Sequence, residues 1–130
     1  MHWAEELARR IIEKNPNKEE YVCAAGISPS GSIHIGNFRD VATSYFVYKA
    51  LIKLGKKARL LFSWDEFDRL RKVPVNVSKV DKSFESCIGM PYVDIKNPFP
   101  ENSDCKTFAQ YFEKEFEESM KKFGIELDYR

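Results

Sequence analysis

The sequence predicts an open α/β fold in which helices flank a parallel sheet. Short apolar segments at residues 21–25 and 58–64 are typical of buried strands, and a helical pattern at residues 35–54 separates them. A strand, a helix and a second strand in this order form a βαβ unit, whose two strands are parallel. Ligands of such sheets bind beyond the carboxyl ends of the strands. The residues that follow each strand are therefore the candidate site.

An amphipathic helix is expected to precede the first strand. Its pattern begins within residues 1–10, and the run Asn15-Pro16-Asn17 ends it. Apolar side chains recur at helical spacing, so one face of this helix is expected to be buried. They are Trp3, Leu7 and Ile11, with Ala4, Ala8 and Ile12 beside them.

The short first strand, nearly all apolar, is expected to lie in the centre of the sheet. The long helix after it has Val41, Tyr45, Tyr48 and Ile52 in register. Gly55 follows it as the expected C-cap residue, because glycine readily adopts the backbone conformation that ends a helix.

The second half of the chain has a weaker pattern. Residues 74–104 contain several prolines and a glycine, which predicts an irregular insertion with one short helix near residues 82–87. Residues 106–123 form a clear helical pattern that ends at Gly124, and residues 125–130 are expected to start a third strand. The apolar stripe of the last helix consists of Phe108, Phe112, Phe116 and Phe123.

Composition restricts the class of protein. The 130 residues are 43% hydrophobic with a formal net charge of +1, which fits one globular domain and argues against a surface built mainly for nucleic-acid phosphates. No apolar run approaches the roughly 20 residues of a membrane span, so no membrane partner is expected. Cys23, Cys87 and Cys105 form no Cys-x-x-Cys pair, which favours the reducing cytoplasm over a disulfide scaffold.

The most informative stretch is the loop Gly26–Asn37, which joins the first strand to the long helix. A helix start offers unpaired N–H groups and the positive end of the helix dipole, which suit an anion. His34 and Asn37 are three residues apart and are expected on one helix face, as the catalytic pair that polarises phosphates. Gly36 would let a ring or a phosphate approach the backbone. The predicted ATP-binding residues are Pro29, Ser30, His34, Gly36 and Asn37.

Acidic side chains follow the second strand. Asp65 and Asp68 are predicted to receive a substrate ammonium, as that of an amino acid, although plain helix capping is an alternative. The next cationic residues, Arg69, Arg71 and Lys72, would contact phosphates or RNA, or would form a solvated charged surface.

Three motifs together carry a resemblance to a known family. They are Met1-His2-Trp3-Ala4, the loop Gly26-Ile27-Ser28-Pro29-Ser30-Gly31 with Ile33-His34-Ile35-Gly36-Asn37, and the run from Asp65 to Pro74. His-Ile-Gly-Asn alone also occurs in other class I synthetases, such as cysteinyl enzymes, whereas the other parts are far more specific. Over nearly its whole length the chain resembles the N-terminal part of a class I lysyl-tRNA synthetase, the archaeal type that also occurs in some bacteria.

The resemblance implies a Rossmann-type (HUP-like) catalytic domain. It implies that lysine and ATP, with Mg²⁺, form lysyl-adenylate, and that the lysyl group then passes to the 3′ end of tRNA(Lys). Gly26, Ile27 and Ser28 would line the floor under the amino acid, largely through backbone groups. Asp65 and Asp68 would lie on the amino-acid and ribose side. The carboxylate of lysine attacks the α-phosphate in line, so catalysis would depend on positioning and charge stabilisation.

The chain departs from the family pattern in three ways. It ends before the second signature loop, whose lysine neutralises the phosphates, and it lacks the helical anticodon-binding domain. Cys105-Lys106 and Tyr111 stand where the family often has Cys-His and a further His, so no zinc or other metal site is expected. The 130 residues are therefore expected to be a fragment that binds ATP or lysine weakly and does not charge tRNA alone.

Two other functions remain as alternatives. The first is a nucleotidyltransferase of the same superfamily, of the cytidylyltransferase or pantothenate synthetase type. Such enzymes usually have a second histidine where Asn37 stands, and they lack the run of residues 65–74. The second is a truncated paralogue that binds an amino acid, a nucleotide or a protein partner without catalysis.

Overall fold

The predicted βαβ unit is present and a helix precedes it. In this computed structural model, which describes residues 1–129, the chain begins with α1 (Trp3–Lys14), β1 (Tyr21–Ile27), α2 (Ile35–Lys53) and β2 (Ala58–Trp64). β2 has the predicted bounds. β1 is longer than predicted, so Gly26 and Ile27 belong to the strand and the loop begins after them.

The predicted insertion contains several short elements. They are α3 (Val75–Val80) and two 3₁₀ helices (Lys82–Cys87 and Tyr92–Asp94), followed by α4 (Phe108–Lys122) and β3 (Asp128–Tyr129). The short helix expected at residues 82–87 is confirmed as a 3₁₀ helix. The sequence did not predict α3, because six residues are too few for a helical period to show.

All three strands run in the same direction. The sheet has the order β1-β2-β3, and β2 pairs in parallel with β3. The N–H of Tyr21 donates to the carbonyl of Lys57 and the N–H of Asp65 donates to the carbonyl of Ile27, both at 3.0 Å. Because the starts of β1 and β2 adjoin and their ends adjoin, these two strands are also parallel.

Among the strands that the structure describes, β1 lies at the edge of the sheet with β2 as its neighbour, and a central place for β1 in the whole protein stays a prediction. Its residues alternate between more and less exposed, and Val22 is 52% exposed. A short apolar run does not by itself tell a central strand from an edge strand whose one face is covered.

Residues 1–129 divide into two compact units. The first contains residues 1–26 and 34–63 and the chain end from Ile125, and the second contains residues 27–33 and 64–124. Each unit has its own apolar core. Within residues 1–129, none of the helices combines the length and the apolar character that crossing a membrane would require.

In the first unit α1 packs on α2 through small side chains. Ala4 and Ala8 of α1 are buried in one cluster with Ala50 of α2. Trp3 and Leu7, which were expected in the buried stripe, are 46% and 40% exposed. Small residues let the two helices approach closely, so the larger side chains lie at the margin of the contact.

The carboxyl end of α2 has the predicted glycine cap. Gly55 has a φ of +82° and donates its N–H to the carbonyl of Ile52 at 3.0 Å. Lys56 donates to the carbonyl of Leu51 at the same distance. These bonds satisfy carbonyls at the helix end, and the glycine adopts the positive φ without the steric cost of a Cβ.

The second unit is held together by an aromatic core on α4. Phe108, Phe112 and Phe116 are at most 1% exposed, as predicted. Phe123 is 66% exposed, so its place in the stripe was wrong. α4 ends before Phe123, which serves as the C-cap, and Met120 fills the fourth buried position.

Candidate functional site

His34 caps the amino terminus of α2. Its Nδ1 accepts a hydrogen bond from the N–H of Gly36 at 3.1 Å, and Oδ1 of Asn37 accepts one from the N–H of His34 at 3.4 Å. This reciprocal pair is a capping box. His34 and Asn37 adjoin, as their spacing predicted. The structure differs in one respect: His34 is the N-cap residue that precedes the first turn and is not itself part of the helix.

The cap fixes which nitrogen of His34 can serve a ligand. A neutral imidazole that accepts at Nδ1 carries its proton on Nε2. His34 is exposed, so its Nε2–H can donate to an anion. The first turn of α2 reads Ile-Gly-Asn-Phe, and no carboxylate there offsets the positive end of the helix dipole. The cap and the dipole together favour a phosphate at this position.

A side chain at Gly36 would crowd the cap. A Cβ at this position would lie 3.0 Å from both Cε1 and Nδ1 of the His34 ring, which is closer than a side chain normally approaches. From the sequence, Gly36 was expected to let a ligand approach the backbone. The structure shows a second reason for a glycine here, because a Cβ would crowd the ring of His34, which caps the helix.

An open groove lies beside this cap in the first unit. Its volume is about 730 Å³, within the range of small-molecule sites. Most of its surface is apolar, and Ile35, one of its lining residues, is 80% exposed. Trp3, Phe38 and Phe46 line it together with Gly36. Its apolar surface can accept a flat aromatic ring.

Ser28 and Asp68, both expected to bind the amino acid, are in direct contact. The hydroxyl of Ser28 donates to Oδ2 of Asp68 at 2.5 Å. Two backbone bonds support this pair: Asp65 donates its N–H to Ile27 at 3.0 Å, and Tyr92 donates its N–H to the carbonyl of Asp68 at 3.1 Å. The loop after β2 is thus held to the end of β1 within the second unit.

The other predicted site residues differ in exposure. Asp65 and Ser30 are exposed, and so is Gly26 at the end of β1. Pro29 is fully buried, so its side chain supports the loop and presents no surface to solvent. A contact between ATP and Pro29 or Ser30 stays a prediction.

Tyr92 belongs to the surroundings of Asp68 and was not found from the sequence. It is 5% exposed and stacks on Phe108, with ring centroids 5.7 Å apart. Burial raises the pKa of the Tyr92 phenol, the charge of Asp68 raises it further, and Arg71 lowers it. The phenol therefore stays neutral beside the carboxylate. A tyrosine between breakers gives no periodic signal that could have revealed this role.

A second groove lies beside Asp68. It has a volume of about 620 Å³, and its lining includes Phe67, Asp68, Arg69 and Arg71. Phe67 is 79% exposed, and Nη1 of Arg69 donates to the carbonyl of Gly89 at 3.4 Å. A carboxylate, two cations and an aromatic ring can together accept an ammonium and an anionic group.

Cys105 lies in a hydrogen-bonded turn. Its carbonyl accepts from Nδ2 of Asn97 at 2.8 Å, and its N–H donates to Oγ of Ser103 at 3.0 Å. The thiol is half-buried and free, as are the thiols of Cys23 and Cys87.

Comparison with known proteins identifies the family. Residues 1–130 match the sequence model of the family described as tRNA synthetases class I (K). Proteins named lysine--tRNA ligase are 41% identical in Pyrococcus horikoshii, 36% identical in Treponema pallidum and 42% identical in Methanococcus maripaludis. The matches cover 99%, 99% and 98% of this chain. The chain spans about a quarter of these relatives, namely 24%, 24% and 22% of their length.

The family match agrees with the resemblance carried by the His34–Asn37 loop and by residues 65–74. It decides against a nucleotidyltransferase of another family. The chain belongs to the class I lysyl-tRNA synthetases, and it corresponds to their N-terminal region.

Proposed function

We propose that this protein activates lysine with ATP and transfers the lysyl group to tRNA(Lys). The observation that carries the proposal is the capped start of α2, where His34 keeps an Nε2–H for an anion, in a chain of this family. Residues 1–130 would belong to the nucleotide-binding catalytic domain, and anticodon recognition would lie outside them. The reaction would take place in the cytoplasm.

The first step places new negative charge near the start of α2. The carboxylate of lysine attacks the α-phosphorus of ATP, a carboxyl–phosphate bond forms, and the bond to pyrophosphate breaks. Mg²⁺ would enter with ATP as part of the substrate. The Nε2–H of His34 and the dipole of α2 would stabilise the charge on the phosphoryl oxygens. Because Oδ1 of Asn37 accepts from His34, the amide NH₂ of Asn37 remains as a further donor.

The amino acid would be held by the loop after β2. Lysine carries two ammonium groups at neutral pH, and Asp65 and Asp68 supply carboxylates in the second unit. The contact with Ser28 fixes Asp68 in one orientation. The backbone of residues 26–28 would form the floor under the amino acid. The groove with Arg69 and Arg71 would receive anionic groups of the adenylate or of the tRNA end.

Lysine-dependent exchange of pyrophosphate into ATP by the whole protein tests this proposal. Exchange with lysine, and none with arginine or ornithine, is the expected result. Exchange with a different amino acid would assign another substrate. Lack of exchange with every amino acid, in a protein that still binds ATP, would favour the truncated paralogue without catalysis.

Asp65→Asn should weaken lysine more than ATP. The substitution keeps the size of the side chain and removes its charge, and a hydrogen bond to a charged group contributes about 1.5–3 kcal/mol. The KM for lysine should therefore rise about tenfold or more, with a smaller change in the KM for ATP. Asp104→Asn, at another exposed carboxylate of the second unit, is the matched control. An equal rise for both substrates would make Asp65 a structural residue.

A further inference from the structure

Three glutamates meet where the loop after β2 adjoins α4. Glu113 of α4 is 9% exposed, and its Oε1 has no hydrogen-bond partner among residues 1–129. Glu66 is the second residue after β2 and is in side-chain contact with Glu113. Glu117 lies one turn further along α4 and accepts a hydrogen bond from Nε1 of Trp64 at 3.1 Å. All of these residues belong to the second unit.

Such a group cannot hold three negative charges at low cost. A buried carboxylate loses hydration, and like charges nearby disfavour ionisation further. Two carboxyl groups can form a hydrogen bond with each other when one of them carries a proton. Burial raises the pKa of Glu113 to about 8, and the hydrogen bond with Glu66 and the charges of Glu66 and Glu117 act in the same direction. The charged groups that face Glu113 are thus acidic both on α4, with Glu117, and on the loop after β2, with Glu66.

We propose that Glu113 is a positioning residue, which donates a hydrogen bond from its protonated carboxyl to Glu66 and so fixes the loop that carries Asp65 and Asp68. Glu66 lies directly after Asp65, and the loop is short: Asp68 donates its N–H to the carbonyl of Asp65 at 3.2 Å. A restraint on Glu66 therefore acts on both aspartates. The effect on lysine binding rests on the proposed function. The proton shared by Glu113 and Glu66 is independent of that function and can be tested without it.

The ligand of this cluster is a proton and not a metal ion. Across residues 1–129, no three histidine, cysteine or acidic side chains are placed to hold a metal. Trp64 already occupies one oxygen of Glu117. A proton shared between Glu113 and Glu66 would give the buried carboxyl of Glu113 the hydrogen-bond partner that it lacks.

An NMR titration of this chain, with its glutamate carboxyl carbons labelled, tests the proposal without any activity. Glu113 should titrate near pH 8, and the backbone amides of residues 66–68 should shift with the same midpoint. Glu118→Gln, at an exposed position of α4, should leave that midpoint unchanged. A midpoint near 4.3, the ordinary value of a glutamate, or loop amides that do not follow the titration, would overturn the proposal.

Substitutions separate positioning from a merely structural role. The amide of Glu113→Gln can donate to Glu66 at every pH, so residues 66–68 should keep their low-pH amide shifts up to pH 9. Glu66→Gln supplies a donor to Glu113 and should lower the midpoint of Glu113. In the whole protein the KM for lysine should rise above pH 8 in the wild type and stay constant in Glu113→Gln. Loop shifts in Glu113→Gln that still change with a midpoint near 8 would contradict the proposal.

The stability of the chain gives a second readout. The protonated form of Glu113 is favoured in the folded state, so its contribution is fully present below the ordinary glutamate pKa and is lost as pH rises through about 8. Thermal unfolding of the wild type should therefore shift to lower temperature over this range. Glu113→Gln should remove this part of the pH dependence, and Glu118→Gln should retain it. An unchanged slope in Glu113→Gln would overturn the assignment of the proton.

Discussion

His34→Asn lowers the rate of lysyl-adenylate formation about 10²-fold or more, while the helix cap stays in place. Asparagine is among the best N-cap residues, so it can replace Nδ1 of His34 as the acceptor at the start of α2. The substitution therefore removes the Nε2–H donor and little else. Pyrophosphate exchange gives the rate, and thermal unfolding of the same protein reports on the cap.

Two further variants separate the two roles of His34. His34→Ala removes the cap as well, and should cost about 1 kcal/mol of stability in addition to the loss of rate. His2→Asn is the matched control, because His2 caps α1 in the same way: its Nδ1 accepts from the N–H of Ala4 at 3.2 Å. It should leave the exchange rate unchanged. A normal exchange rate in His34→Asn would show that His34 is a helix cap without a part in the chemistry.

Phe112→Ala lowers the free energy of unfolding by about 3–5 kcal/mol. Phe112 is 1% exposed, with its ring centroid 4.7 Å from that of Phe108 and 5.1 Å from that of Tyr111. The same cluster includes Tyr92, whose N–H holds the carbonyl of Asp68. Loss of this core should therefore also weaken the binding of lysine. Urea unfolding measures the stability.

Phe123→Ala is the matched control for this prediction. It also truncates a phenylalanine to alanine, at the C-cap of the same helix, where the side chain is 66% exposed. The expected loss of stability is below about 1 kcal/mol. Similar losses for both variants would contradict the assignment of Phe123 to the surface.

Elements with a long pattern of their own could be predicted from the sequence. α2 and β2 form where their apolar spacing placed them, and Gly55 ends α2 as expected. The position of β1 at the edge of the sheet, and the exposure of Trp3, depend on what packs beside them. Such tertiary contacts leave no trace in the local pattern. The same holds for α3, which is too short to show a period.

For the site residues too, the residue types could be predicted from the sequence, whereas their contacts could not. His34 and Asn37 could be selected from the sequence, but their capping box could not be predicted, because histidine is not among the usual N-cap residues. The contact of Ser28 with Asp68 joins segments far apart in the chain.

The buried Glu113 could have been found from the sequence. It is three residues before Phe116 and seven before Met120, so helical spacing places it on the buried face. A charged residue on such a face indicates a buried polar group that needs a partner.

Thermal unfolding of this chain with a non-hydrolysable lysyl-adenylate analogue tests the central claim most directly, that residues 1–130 bind ATP and lysine. The arginyl, cysteinyl and glutamyl analogues serve as controls. Ligand binding at about 100 times its Kd stabilises a folded protein by about 2.7 kcal/mol. Stabilisation by the lysyl analogue alone is the predicted result. Equal shifts with all four analogues, or no shift with the lysyl analogue, would contradict the claim.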